Sequence, residues 1–367
     1  MSVTILGSGF AALTAARVLR NKSPDLEINL VAPEPELIYL PGLIWLPNGL
    51  RKADDLRVGL QHFFKRTNIN YIQARAEGLE DGGRTVVTSA GPVKNDGLII
   101  GTGARFLKKQ PGIEHTYCPC EGIKAVEKYT ERLKSLESGT IALGFGGNPK
   151  EPNAMRGGPM FEFLFGLDTQ LRKEKRRDKF NIVFFSPAPE PAKRLGANVP
   201  ATMLDRMAKC GIEARVGNKI TGFDENQVHT EGGSFHSDLT LFMPGLTGQE
   251  WLDNTELPRS PGGLVEGDEY ARVPGFEKTY IAGDGGSMPG PDWQAKQAHA
   301  ADLHAAAAAQ NLILELNGKI PEHKIKHEIV CIVDSGNKGM LIRRTEDKQV
   351  MLPPLRLMHW AKRYFEK

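Results

Sequence analysis

The opening of the chain constrains its fold more than any other segment. Ser2-Val3-Thr4-Ile5-Leu6 reads as a short buried strand, and it runs directly into Gly7-Ser8-Gly9-Phe10-Ala11-Ala12. Leu13 to Leu19 then carries apolar residues at helical spacing, and Leu26 to Val31 reads as a second strand. A GxGxxA string is common by itself. Between a strand and a helix it becomes the phosphate-binding turn of a dinucleotide-binding unit, the alternative being a turn with a purely structural role. The first glycine permits the tight turn, the second lets backbone approach a pyrophosphate, and the small Ala12 lets helix and strand pack closely. The phosphates then rest on the free N–H groups of the helix start, around Phe10 and Ala11, where the dipole favours negative charge. An acidic side chain is expected at the ribose just past the second strand. Glu34 is the nearest candidate, about two residues out of the usual register.

Two later segments decide which dinucleotide is held. Leu98-Ile99-Ile100-Gly101-Thr102-Gly103-Ala104 is an apolar strand ending in a glycine-flanked threonine. Thr279-Tyr280-Ile281-Ala282-Gly283-Asp284-Gly285-Gly286 is a strand closing on Gly-Asp. Both resemble the FAD motifs of the two-dinucleotide-binding-domain flavoproteins. That resemblance implies an α/β fold of two Rossmann-like domains plus a small C-terminal segment. It also implies FAD held through Thr102, Gly103, Gly283 and Asp284, the aspartate bonding the ribityl chain; the alternative for Asp284 is a turn residue capping the next helix. An alanine-rich helix is predicted from Trp293 to Leu316. With Lys296 in its first turn, that helix would set a positive end against the flavin and stabilise its reduced, anionic form.

At Gly139 the pattern restarts, with Thr140 to Gly147 a strand running into glycines. A nicotinamide-binding unit would continue at once into a helix. Here Asn148-Pro149-Lys150-Glu151-Pro152-Asn153 intervenes, and its two prolines keep it out of one. The helix is predicted to start near Pro159, with a further strand over Phe180 to Phe185. The expected organisation is a discontinuous FAD-binding domain of residues 1–107 and 240–317, a second Rossmann-like domain of residues 108–239 that does not bind NAD(P)H, and a C-terminal segment of residues 318–367.

This interrupted cradle, followed by Gly158-Pro159-Met160-Phe161-Glu162, resembles the sulfide:quinone oxidoreductase and flavocytochrome c sulfide dehydrogenase flavoproteins. Their corresponding helix opens with a cysteine and then Gly-Pro-x-aromatic-Glu. Further likeness lies in Pro41-Gly42-Leu43-Ile44-Trp45, in Gly49-Leu50-Arg51-Lys52 and in Trp360 with Phe365-Glu366-Lys367. The resemblance makes Cys331 the family's second redox cysteine, Cys120 (or Cys118) the additional cysteine of quinone-linked members, and Glu162 a proton acceptor near the flavin. It implies a mechanism in which a cysteine pair receives sulfide and a thiolate passes electrons to the flavin. One departure is pronounced: the place of the first redox cysteine, six residues before Glu162, holds Arg156. Arg156 would either bind an anionic substrate or stabilise reduced flavin. Two family histidines are also replaced, near Lys124 and Arg194. Read without the resemblance, Cys331 is a small core thiol, Glu162 a solvent-facing helix carboxylate and Cys210 a structural residue. The resemblance also implies non-covalent flavin, because no cysteine precedes Cys118, where the dehydrogenase members carry theirs.

A net charge of +3 over 367 residues gives no argument for nucleic acid. Four scattered cysteines supply neither a disulfide framework nor a metal site. No stretch reaches the roughly 20 apolar residues that a membrane-spanning helix needs. A strand directly behind the initiator leaves no room for a signal peptide, which predicts a cytoplasmic protein. The tail from Met351 to Phe365 mixes apolar anchors with basic residues. It suits peripheral membrane contact, or docking on its own protein through Leu355, Met358 and Phe365. Three functions fit these observations: an FAD-dependent oxidoreductase passing electrons from sulfide or a related sulfur compound to a quinone, an NADH:quinone oxidoreductase, or a flavin subunit relaying electrons to a cytochrome partner.

Overall fold

The computed structural model describes residues 1–365. The chain begins one sheet with β1 (Ser2–Leu6), helix α1 (Phe10–Lys22), β2 (Glu27–Ala32), β3 (Asn70–Gln73) and β4 (Gly97–Ile100). It then passes through α2 (Ile123–Ser135) to a second sheet of β5 (Gly139–Phe145), β6 (Phe180–Ser186), β7 (Ile212–Val216) and β8 (Leu239–Met243). Helices α3 (Gly158–Lys173) and α4 (Val199–Lys209) share that sheet's core. The chain returns to the first sheet as β9 (Thr279–Ile281), followed by α5 (Ala298–Leu316). A C-terminal antiparallel sheet, β10 (Ile329–Asp334), β11 (Gly339–Arg344) and β12 (Gln349–Met351), and helix α6 (Arg356–Phe365) complete it.

Both large sheets are parallel throughout, in the orders β9-β4-β1-β2-β3 and β7-β6-β5-β8. Parallel strands covered on both faces need nearly continuous apolar runs, and Leu98-Ile99-Ile100 is buried along its length. A short antiparallel pair, Arg105–Phe106 with Leu246–Thr247, ties together the two crossings between the sheets. β8 pairs with β5 from Leu239 through Met243, so the second unit extends to Met243 and residue 240 lies inside a strand of it.

Strand order reverses between β4 and β1, and in open α/β sheets the crevice at such a reversal is where ligands bind. The carboxyl ends of β9, β4 and β1 therefore bring Gly283-Asp284, Gly101-Thr102-Gly103 and Gly7 to one place. Alanines set the spacing beneath it: Ala11, Ala12, Ala15 and Ala16 of α1 and Ala301, Ala305 and Ala308 of α5 are all buried. Thr14 donates its hydroxyl to Asp302 across that helix pair at 2.6 Å. The alanine-rich helix starts at Ala298 rather than Trp293. Gln297 is still extended (φ −149°, ψ 162°), and the preceding residues line the crevice instead of coiling. Among the described residues no helix is long and apolar enough to cross a membrane.

Candidate active site

A cavity of about 2890 Å³ reaches from the Gly7–Ala11 turn, past Asp284 and Lys296, to Cys331, Glu162 and Lys362. Gly7 stands at φ +107°, and a Cβ there would lie 2.5 Å from the Gly101 carbonyl oxygen. Gly9 faces open space, with nothing within 4 Å of where its Cβ would be. α1 starts there without a side-chain cap and without an acidic residue in its first turn. Free N–H groups at Phe10 and Ala11 thus border the cavity, while Ala12 is wholly buried beneath the turn. This is a cradle for a pyrophosphate. Thr102 and Gly103 line the same wall, the Thr102 carbonyl accepting from Gln249 Nε2 at 3.2 Å. Glu34 does not join them: it is exposed, and Val31 and Pro33 line the end of β2.

Asp284 closes the cradle, and its carboxylate pairs with Arg156 of the turn before α3. Lys296 precedes α5 rather than lying in its first turn, and its ammonium donates to the Gly286 carbonyl. Burial lowers the Lys296 pKa, against the opposing pull of Asp284 and Glu151. Two cations therefore meet the cavity beside Asp284, where reduced flavin would carry negative charge.

Cys331 and Cys120 line the cavity, whereas Cys118 is buried outside it, and all are free thiols. Burial pushes the Cys331 thiol up to about 12, Glu162 adding and Lys362 opposing. Burial likewise takes Cys120 to about 11, with Arg156 opposing. Both shifts favour the neutral thiol, which is a poorer nucleophile than the thiolate.

Glu162 does not face solvent. It is buried on α3, and its Oε1 accepts from Lys362 Nζ at 2.6 Å and from the Asp334 backbone N–H at 2.8 Å. Lys362 also donates to the Ile332 carbonyl at 3.2 Å. Asp334 in turn lies 2.8 Å from His359 Nδ1. Desolvation raises the Glu162 pKa, although Lys362 and the Asp334 N–H pull it down. Sequence reasoning missed Lys362, His359 and Asp334. The readable signal was the i, i+3 spacing of His359 and Lys362 on one face of α6, opposite Leu357, Trp360 and Tyr364. Of the expected docking residues, Leu355 is 41% exposed and Met358 is half-buried, while His359 and Lys362 make the buried polar contacts of α6. The Phe365 side chain lies outside the described residues.

At the second glycine turn the chain folds back on itself. Asn148 is buried and donates to the Leu246 and Gly262 carbonyls, both at 2.9 Å, and Glu151 accepts from Ser260. α3 begins only at Gly158. A tied turn thus stands between β5 and the helix on which a second set of phosphates would rest.

No family model matches the chain. Its sequence is 24% identical over 360 residues to the sulfide-quinone reductase of Aquifex aeolicus, covering 91% of this chain and 81% of that one. The structure of the sulfide:quinone oxidoreductase from the same bacterium superposes with a TM-score of 0.87 at 21% identity, over 100% of this chain and 89% of that one. This is the pyridine nucleotide–disulfide oxidoreductase fold. NDH2 of Plasmodium falciparum, solved in complex with NADH, also superposes, with a TM-score of 0.78 at 13% identity over 100% and 94% of the two chains. The residues of the first cradle fit FAD: an open Gly9, uncapped helix amides for the pyrophosphate, Asp284 for a ribityl hydroxyl, and cations beyond it.

Proposed function

We propose that the protein is an FAD-dependent oxidoreductase that takes two electrons from a reduced sulfur compound and delivers them to a quinone. The carrying observation is the second glycine turn: Gly147 and Gly158 line the cavity as Gly9 does, but a turn tied by Asn148 stands between β5 and the helix, which argues for a donor other than a nicotinamide. Bound FAD would supply a two-electron relay between donor and acceptor. Arg156 and Lys296 attract an anionic donor to the Asp284 end of the cavity, and Glu162, paired with Lys362, exchanges a proton there. Hydrogen sulfide oxidised to zero-valent sulfur releases two electrons and two protons. A quinone reduced to its quinol takes up two of each, so the exchange balances.

The acceptor reading draws support from α6. Ala361, Lys362 and Tyr364 border the cavity, and Leu357, Trp360 and Tyr364 are turned outward. An apolar face with Arg356 and Arg363 on the same helix suits the interface of an anionic bilayer, the phase from which an apolar quinone would come. A second reading, NADH:quinone oxidoreduction, is favoured by the likeness to NDH2 and by the cavity's extension to Ser186, Pro187 and Glu190 at the end of β6. Steady-state reduction of a short-chain ubiquinone separates them. Turnover with sulfide and none with NADH supports the proposal, and turnover with NADH alone establishes the second reading. Reduction of cytochrome c in place of quinone would move the acceptor to a protein partner.

A further inference from the structure

The cavity is far larger than the ~300–1,000 Å³ that a single ligand site needs, and one lobe of it is built for an anion. Lys193, Arg194, Trp293 and Arg344 line that lobe. Arg194 donates Nη2 to the Pro152 carbonyl, and its buried Nη1 meets no acceptor. An unsatisfied buried donor is costly and calls for a partner. Asp292 is the carboxylate that acts on Arg194, yet among the described residues neither Arg194 nor Arg344 forms a salt bridge. Burial lowers the pKa of both guanidiniums, the mark of charge lacking full compensation.

Arg344 is held in place rather than free to wander. Its Nη1 donates to the Arg194 carbonyl at 2.8 Å, and its guanidinium lies 4.8 Å from the Trp293 ring centroid. The register of the C-terminal sheet sets Cys331 opposite Ile342 and Ile329 opposite Arg344. Residues directly opposite share a face, as do residues two apart, so Arg344 and Cys331 stand on the same side of the sheet. Two fixed guanidinium forks, an indole and a thiol therefore share one wall.

Building on the sulfur reading above, we infer that Arg194 and Arg344 form a subsite for the carboxylate of an organic thiol that donates electrons alongside hydrosulfide; two such thiols oxidised to their disulfide release the two electrons and two protons that a quinone takes up. A one-atom donor would have no use for this lobe. Planar guanidinium forks match carboxylate geometry, and Trp293 offers a surface for the body of such a molecule. A sulfur oxyanion such as thiosulfate carries the same recognition chemistry without the organic body.

The test is equilibrium titration of the FAD-loaded protein, followed by flavin absorbance, with two ligands that donate no electrons: S-methylglutathione and sulfate. Saturable binding of S-methylglutathione that weakens about tenfold or more in Arg194→Gln and in Arg344→Gln, at unchanged FAD content, is expected. On the native protein the same binding is expected to weaken with ionic strength. A response to sulfate alone would overturn the organic donor in favour of the inorganic one. No saturable binding of either ligand, or binding indifferent to both substitutions, would overturn the subsite. Neither ligand reduces flavin, so failure here is distinct from failure of the sulfur reading, which shows in turnover with sulfide.

Discussion

Replacing Lys362 by methionine removes the cation from the most deeply buried lysine–carboxylate pair lining the cavity. The two side chains are 10% and 9% exposed and meet at 2.6 Å. Among the described residues, Glu162 would then keep the Asp334 N–H as its hydrogen-bond donor. Leaving one charge of a buried pair uncompensated costs about 3–5 kcal/mol. Unfolding entropy of roughly 2 cal/mol/K per residue gives on the order of 0.8 kcal/mol/K for a cooperative chain of this length, so the melting temperature should fall by ~4–6 °C. The loss should also depend on pH. Burial already raises the Glu162 pKa, and without the ammonium it rises further. An acid whose folded pKa lies above its unfolded value destabilises the fold once pH exceeds the unfolded value, and the full penalty is reached above the folded one. The gap between variant and native protein should therefore be widest near about pH 8 and close as pH falls toward about 5. Circular dichroism melts of the FAD-loaded proteins across that range measure it. Adding Glu162→Gln to Lys362→Met should restore most of the loss at the alkaline end. A fall of less than about 1 °C, or a gap constant with pH, would refute the buried ion pair.

Other consequences are testable with simpler assays. Gly7→Ala should yield protein with little bound flavin, read as the ratio of 450 to 280 nm absorbance, because its Cβ collides with the Gly101 carbonyl at a positive φ. Asp284→Ala should likewise lower flavin content, since it removes the proposed ribityl partner and leaves Arg156 without its carboxylate. Iodoacetamide labelling of Cys331 should be slow at neutral pH and climb steeply toward a pH of about 12; a fast reaction at neutral pH would show a thiolate that the burial of this thiol does not allow. The double substitution Leu357→Glu and Trp360→Glu should abolish co-sedimentation with anionic vesicles, and unchanged sedimentation would remove α6 as the membrane contact.

What was legible in the sequence was what a few adjacent residues decide. Gly7 must turn tightly beside Gly101, and Pro149 and Pro152 keep their segment out of a helix until Gly158, whatever the rest of the chain does. Three short motifs could be assigned to one crevice because strand order in an open sheet brings their ends together. Long-range pairing was not legible. Glu162 and Lys362 are 200 residues apart, and nothing local distinguishes an inward lysine from a solvated one. The same blindness affected the tail, read as a membrane contact or as docking through Leu355, Met358 and Phe365, without the buried contacts that His359 and Lys362 make from α6. Alanine propensity likewise extended α5 too far toward its start, because propensity does not see the crevice that claims Trp293 to Gln297. Arg156 was legible as a departure, but its pairing with Asp284 emerged only from the fold.

The most direct test of the account is single-turnover reduction of the flavin in anaerobic stopped flow, with sulfide and NADH mixed separately against the purified yellow protein. The account predicts bleaching by sulfide and an unchanged spectrum with NADH, because the turn held by Asn148 and Glu151 replaces the second phosphate cradle. Rapid bleaching by NADH with none by sulfide would contradict it and make the protein a nicotinamide-linked quinone reductase.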